Sequence, residues 1–161
     1  MEISIREAKK EELGEVVRIT DAAFNIPYQK EEYELKYKEP PEILVEEFES
    51  GKTKVLVALL GAEVVGAIRY RTTNLDKYIP HDKNSVEIFK LAVLKKYRKQ
   101  RIGEKLMAKV ERVVKEQGYP LAVLNCMLEE NLPSYYQKLG YEEFRNVEHG
   151  DHHDIYMFKT L

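Results

Sequence analysis

The stretch LAVLKKYRKQRIGEKL, residues 91–106, decides how the chain folds. Leu91, Ala92 and Val93 read as the end of an apolar strand. From Ile102 onward the apolar residues Ile102, Leu106, Val110 and Val113 recur at helical spacing. Between strand and helix, five basic residues (Lys95, Lys96, Arg98, Lys99, Arg101) fall within seven positions. Clustered like charges repel, so the cluster predicts an anion. The first amides of a helix have no internal acceptor, and the helix dipole adds partial positive charge there. Phosphate oxygens satisfy both, and Gly103 allows close approach. The bland alternative is a solvated helix start that is simply basic. The stretch is not a P-loop, because no Gly-Lys-Ser/Thr ending follows. It also lacks the three glycines of the dinucleotide fingerprint.

Working outward, 161 residues predict one domain spanning 1–161. The composition is 43% hydrophobic and 34% charged, with a net charge of −2, so the basic cluster is a local site on a near-neutral chain. That balance argues against a general nucleic-acid binder. Cys126 is the single cysteine, which rules out an internal disulfide and points to a reducing compartment. The opening MEISIREAKK has no apolar core of the kind a signal peptide needs. The longest apolar stretch, residues 55–68, is interrupted by Gly61 and Glu63 and is too short to span a bilayer. The expectation is a cytoplasmic protein with neither nucleic acid nor membrane as partner.

Periodicity places a strand over ISIREA and a helix from about Lys10 to Phe24 with Leu13, Val16, Val17 and Phe24 on one face. Pro41 can open a short helix carrying Leu44, Val45 and Phe48. Two apolar runs flanking Gly61–Ala62 predict a hairpin. SVEIFKLAV is apolar on both faces apart from Glu87 and Lys90, which predicts a central strand. After the helix, stopped by Gly118 and Pro120, come the strand LAVLNCM and a short helix between Asn131 and Gly140. Two last strands, EEFRNV and HDIYMFKTL, meet at the turn EHGDH. The order β, α, α, β, β, β, α, β, α, β, β is that of a mixed α/β (α+β) domain without repeats or linkers.

AVLKKYRKQRIGEKLM resembles the acyl-CoA signature of the GCN5-related N-acetyltransferase (GNAT) superfamily: Gln or Arg, two residues, Gly, one residue, then Gly or Ala. Arg98 and Gly103 match, while the first glycine position holds Arg101. If the family needs positive φ or unusual closeness there, Arg101 weakens phosphate binding. If backbone amides make most of the contact, an arginine is tolerated and adds a charge-assisted bond. The resemblance extends to the opening strand and helix, to Val65–Gly66 in the third strand, and to SYYQKLGY late in the chain. It implies a GNAT-like fold, a central mixed, mostly antiparallel sheet of about seven strands flanked by about four helices.

The same resemblance implies acetyl-CoA as cosubstrate, no metal, and acetyl transfer to a primary amine of a small molecule or protein by direct attack on the thioester. A homodimer is compatible with it, since dimers are common among such proteins. In this family the strand before the signature splays from its neighbour and pantetheine enters the gap. Leu91, Ala92 and Val93 would then face pantetheine, with backbone pairing at Leu91 and Val93. The amides from Arg98 through Lys99, Gln100, Arg101, Ile102 and Gly103 to Glu104 would hold the pyrophosphate. Lys95 and Lys96 would meet the ribose phosphate or only solvent.

Glu87 occupies the place where one branch of the family carries its general base. The other reading is a structural bridge to Lys90, Arg69 or Arg71. Tyr136, four residues before Gly140, matches the family's general acid; the alternative is a core aromatic beside Tyr135. Asn131 is a candidate for pantetheine, two residues from the family position held by Glu129, and equally a helix N-cap. Cys126 reads as a small buried hydrophobe. HGDHH, 149–153, invites a metal site, but consecutive histidines on a strand point to opposite faces and do not easily bind one ion, so the stretch reads as a hairpin tip and no metal is expected. The family's acceptor site is bordered by that hairpin and by the segment after the first helix, which makes Tyr28, Tyr33 and His149 substrate candidates. A second function remains open: a non-catalytic acyl-CoA-binding or regulatory domain on the same fold.

Overall fold

Among the described residues, apolar alternation and short apolar runs form seven strands: β1 (Ile3–Glu7), β2 (Lys54–Leu60), β3 (Glu63–Thr72), β4 (Ser85–Val93), β5 (Leu121–Met127), β6 (Glu142–Glu148) and β7 (His153–Thr160). Four α-helices accompany them among the described residues: α1 (Leu13–Tyr28), α2 (Pro41–Glu49), α3 (Ile102–Glu116) and α4 (Leu132–Lys138). This computed structural model describes residues 2–28, 40–72, 84–150 and 152–161. The strands form one sheet in the order β1-β2-β3-β4-β5-β7-β6, with β4 at its centre as its two-sided apolarity predicts. β4 and β5 run parallel, whereas β1/β2, β2/β3, β5/β7 and β6/β7 are antiparallel. The fold is therefore the mixed, mostly antiparallel sheet with flanking helices that the sequence implied. No described helix is long and apolar enough to cross a membrane.

The chain divides into two compact units, one of Met1–Tyr70 with Lys90–Val110, the other of Arg71–Phe89 with Glu111–Leu161. In the first, Leu13, Val16, Val17 and Ile19 of α1 and Leu44 of α2 pack with Val55 and Val57 of β2 and Ala67 of β3. The first helix begins as a 3-10 turn over Lys10–Glu12 and becomes α-helical at Leu13, three residues later than the sequence suggested. Glu12 causes this: its carboxylate accepts from the Lys9 amide at 2.8 Å and from Arg6 at 2.6 and 3.0 Å, tightening the first turn. The helix also continues past Phe24 to Tyr28.

The β2–β3 register jumps from Ala58↔Gly66 to Leu59↔Val64, which leaves Val65 as a bulge residue. Its carbonyl accepts the Leu94 amide at 2.9 Å. Beside it, a Cβ on Gly66 would stand 3.1 Å from the Ala92 carbonyl and 3.3 Å from a Leu106 methyl. The glycine is what lets the end of β4 and the start of α3 lie this close to β3. The buried stripe of α3 is Ile102, Leu106, Met107, Val110 and Val114; Val113, expected within it, is only half-buried. Its place is taken by Val114, four residues on from Val110.

In the second unit, β5 and β7 pair over seven residues from Leu121↔Thr160 to Met127↔Asp154. Ala122, Val123, Leu124, Ile155 and Met157 are buried there. β6 forms the sheet edge, and its register shift at Glu143/Arg145 makes Phe144 a bulge residue that packs on Tyr156 and Phe158. The β4–β5 pairing covers Ser85↔Leu121, Val86↔Ala122 and Glu87↔Val123.

Candidate functional site

The basic junction grows from the end of β4. Lys90 sits in the strand with φ of +53°, and its ammonium lies 4.9 Å from the centroid of the Phe24 ring. Leu91 and Val93 are half-buried and Ala92 is buried. The chain then turns through a 3-10 segment, Lys95–Tyr97, tied to the start of β3. Tyr97 donates its hydroxyl to Glu63 at 2.8 Å, and the Lys96 ammonium lies 3.5 Å from the same carboxylate. Lys96 thus has an internal counter-ion rather than a free charge for a ligand. The Arg98 side chain folds back, its Nε donating to the Val93 carbonyl at 3.0 Å. It braces the strand end and occupies one of the carbonyls that the sequence assigned to pantetheine. Lys95, Lys99 and Arg101 are exposed and have no ion-pair partner among the described residues.

Backbone conformation distinguishes this junction from an ordinary helix start. Lys99 has φ of +63° and Arg101 has φ of +62°, while Gln100 between them does not enter the positive-φ region. The left-handed region costs a non-glycine residue roughly 1–2 kcal/mol. Alternating handedness turns successive N–H groups toward one concave point, an arrangement that binds anions. The first intrahelical bond of α3 runs from the Lys105 amide to the Arg101 carbonyl at 3.0 Å. Among the described residues no backbone acceptor takes the amides of Lys99 to Glu104. The position where the signature has its first glycine therefore does adopt positive φ, and Arg101 adopts it too.

Tyr136 lies on α4, which opens at Asn131–Pro133 and closes at Gly140 with φ of +96°. Its ring meets Tyr135 edge-on at 5.1 Å between centroids and Tyr141 at 6.0 Å. Its hydroxyl has no hydrogen-bond partner among the described residues. Burial pushes the phenol above its usual range, and the Cys126 thiol adds to the effect. The end of α4 is fixed by a hydrogen-bonded trio: Glu111 accepts from the Tyr141 hydroxyl at 2.9 Å and from the Lys159 ammonium at 3.0 Å, and Lys159 also donates to the Leu139 carbonyl at 2.8 Å. These residues, scattered over 48 positions of chain, gave no joint signal in the sequence. Cys126 is buried, with its thiol pushed up to about 12 chiefly by burial, so it is no nucleophile at neutral pH.

Glu87 is buried on β4 and bridged to Arg71 of β3, with Nε to Oε2 at 2.7 Å. The Arg71 guanidinium also stacks 4.2 Å from the Phe89 centroid. Of the partners the sequence offered, Arg71 is the one engaged. Asn131 stands at the N-cap of α4 but makes no side-chain cap. At φ of +57° it is left-handed, and a capping side chain works from the extended region. Glu129, at the family's asparagine position, is taken up by His153: it accepts the His153 amide at 2.9 and 3.1 Å and faces the ring Nδ1 at 2.7 Å. His149 is exposed at the tip between β6 and β7, its amide donating to the His152 carbonyl at 2.8 Å. Tyr28 ends α1 rather than following it, and Tyr33 lies outside the described residues.

A central mixed, mostly antiparallel sheet whose fourth strand runs through a turn of positive-φ residues into a helix, with further helices flanking it, sets the α+β class of this chain. The sequence profile of the Acetyltransferase (GNAT) family matches residues 13–141, and the chain belongs to that family. No curated protein sequence matches it significantly. Among solved structures, it is similar to a paiA N-acetyltransferase from Thermoplasma acidophilum in complex with coenzyme A (22% identity, all of both chains, TM-score 0.80). A ribosomal-protein-alanine N-acetyltransferase from Brucella melitensis is 20% identical over 98% of this chain and 99% of its own, with TM-score 0.74. The yncA acetyltransferase of Salmonella typhimurium, with acetyl-CoA, is 15% identical over 100% and 95%, with TM-score 0.74.

Proposed function

We propose that this chain, acting as one domain over 1–161, transfers acetyl from acetyl-CoA to a primary amine. The observation that carries the proposal is the alternating backbone at Lys99–Arg101, with unclaimed amides at the start of α3 and exposed cations beside it. The coenzyme seen in the Thermoplasma and Salmonella structures supports the same ligand here. In this reading the pyrophosphate takes the amides from Lys99 to Glu104, with Lys99 and Arg101 adding charge. Leu91 supplies backbone groups to pantetheine and Val93 its amide, the Val93 carbonyl being taken by Arg98. Arg98 acts as the brace that shapes the cradle.

The amine nitrogen attacks the thioester carbonyl, the carbon–sulfur bond breaks, the nitrogen loses a proton and the sulfur leaves as thiolate. Deprotonating an alkyl amine of pKa near 10.4 at pH 7 costs about 4.6 kcal/mol. Glu87 is assigned as the base: its Oε2 is held by Arg71, and Oε1 has no partner among the described residues. Tyr136 is assigned to the thiolate. Its raised pKa keeps the phenol protonated at neutral pH. It also makes the phenol a weaker acid than the thiol it would protonate, so its main contribution is a hydrogen bond to the developing charge. The acceptor is a small-molecule or protein amine.

Calorimetric titration with acetyl-CoA and an amine panel test the proposal. Wild type should bind one equivalent, and Arg98→Ala should bind more weakly. Tyr136→Phe should lower kcat by roughly 10²-fold or more with acetyl-CoA affinity unchanged. Glu87→Gln keeps an acceptor for Arg71 and should lower kcat with acetyl-CoA affinity unchanged. Binding without turnover, insensitive to both changes, would instead identify a regulatory acyl-CoA-binding domain.

A further inference from the structure

The tip of the β6–β7 hairpin gathers a donor set to which the transfer steps above assign no part. His149 Nε2 lies 3.0 Å from Asp154 Oδ2, and His152 Nε2 lies 3.7 Å from Oδ1 of the same carboxylate. The two imidazoles stack, with centroids 5.0 Å apart and planes 23° from parallel. One potential ligand atom from each of the three residues lies within 4.8 Å of the others. Tetrahedral zinc with bonds of about 2.0–2.2 Å spaces its ligand atoms about 3.3 Å apart. The two His–Asp distances, each to a different oxygen of the Asp154 carboxylate, lie on either side of that spacing. Small rotations of side chains at a surface turn close the remainder.

The scaffold holds these donors before any ion arrives. Asp154 pairs with Met127 of β5 on one side and Val147 of β6 on the other, so its backbone is fixed by the sheet. The turn is closed by the His149 amide on the His152 carbonyl at 2.8 Å. The next histidine, His153, is committed to Glu129 and points elsewhere, in keeping with the alternation of a strand. His149 and His152 converge because they belong to a turn, three residues apart, and not to a strand. Two imidazoles and one carboxylate suit zinc, nickel or cobalt and leave a fourth position for water.

We propose that His149, His152 and Asp154 form a transition-metal site, with zinc as its natural occupant, that clamps the hairpin tip. Coordination takes neutral imidazoles with the proton on Nδ1 and an ionised carboxylate, so a histidine protonated before binding releases its proton to solvent. The site stands on residues outside the proposed transfer chemistry. Its test therefore does not depend on acetyltransferase activity.

Untagged protein is titrated with zinc sulfate by calorimetry at pH 7.5, with wild type, His149→Gln, His152→Gln, Asp154→Asn and His153→Gln in parallel. Wild type should bind one equivalent. His149→Gln and His152→Gln should each weaken binding at least tenfold, Asp154→Asn should weaken it, and His153→Gln should leave it within about threefold. Hydrogen exchange should slow at residues 148–154 on adding zinc to wild type and not to His149→Gln. Absence of saturable binding, or an equal loss in His153→Gln, overturns the site.

Discussion

Arg101 stands where a glycine would be free of cost, and its φ of +62° shows that the turn dictates the conformation whatever the side chain. Arg101→Gly should therefore remove strain of about 1 kcal/mol, partly offset by the freedom glycine adds to the unfolded chain. Arg101→Val forces a β-branched residue into the same region. For a chain of this length, about 1 kcal/mol shifts Tm by roughly 2–4 °C. The expected result is a Tm equal to or above wild type for Gly and several degrees below it for Val. Acetyl-CoA affinity should fall modestly for Gly, which loses only the charge, and by at least about tenfold for Val, which loses the turn as well. Equal affinity in both would show that backbone shape does not hold the phosphates. At this scale the sequence was readable in part. Residue types flagged Arg98, Arg101, Glu87 and Tyr136, but partners come from tertiary placement. Nothing local shows that Arg98 turns back on Val93, that Glu129 is engaged by His153, or that Arg71 rather than Arg69 or Lys90 meets Glu87.

Elements were far more legible, because strand and helix periods are written in the apolar pattern and Gly61, Gly118 and Gly140 punctuate it. The departures have local causes: the Glu12 carboxylate that tightens the start of α1, and the bulge at Val65 that spacing alone does not reveal. That bulge carries a prediction. Val65 frees a carbonyl for Leu94, and Gly66 leaves room for the Ala92 carbonyl and for Ile102 and Leu106 of α3. In Gly66→Ala the new methyl meets backbone at 3.1 Å and a side chain at 3.3 Å, so β3, β4 and α3 must move apart by tenths of an ångström. Overpacking of this kind costs about 1–3 kcal/mol. The lower Tm should come with weaker acetyl-CoA binding, because the element displaced is the one that forms the cradle. The end of α4 offers the complementary case. Glu111→Ala leaves the Lys159 ammonium and the Tyr141 hydroxyl, 28% and 2% exposed, without their carboxylate. A loss of about 2–4 kcal/mol is expected, measured by urea denaturation, and Glu111→Gln should recover part of it.

At the scale of the molecule, ligand and proton each shift the folding equilibrium in a direction that can be worked out beforehand. A ligand that binds only the folded chain stabilises it by about 2.7 kcal/mol at 100 times its Kd, so saturating acetyl-CoA should raise Tm by roughly 5–10 °C. Alkaline pH acts the other way. Burial pushes the Cys126 thiol from 9.0 up to about 12, and burial together with Glu111 raises the Tyr141 phenol above its usual range. Both groups are neutral when protonated, and in both the folded pKa exceeds the unfolded one. Below pH 9 the two states hold equal protons at Cys126 and its contribution is complete. Above pH 9 the unfolded chain releases a proton that the folded chain keeps, so stability falls with rising pH until the folded thiol ionises near 12. The slope approaches about 1.4 kcal/mol per pH unit per group, a large share of a typical stability of about 5–15 kcal/mol. Tyr141 joins from about pH 10 upward. Urea denaturation at pH 8, 9, 10 and 10.5 should show a flat region and then a steepening decline. Cys126→Ala, less stable at pH 8 because it leaves a small cavity, should decline less steeply between pH 9 and 10. Parallel curves for wild type and variant would mean that the thiol ionises in the folded protein about as easily as in the unfolded chain, and that the buried setting of Cys126 beside Met157 is more open to water than its geometry shows.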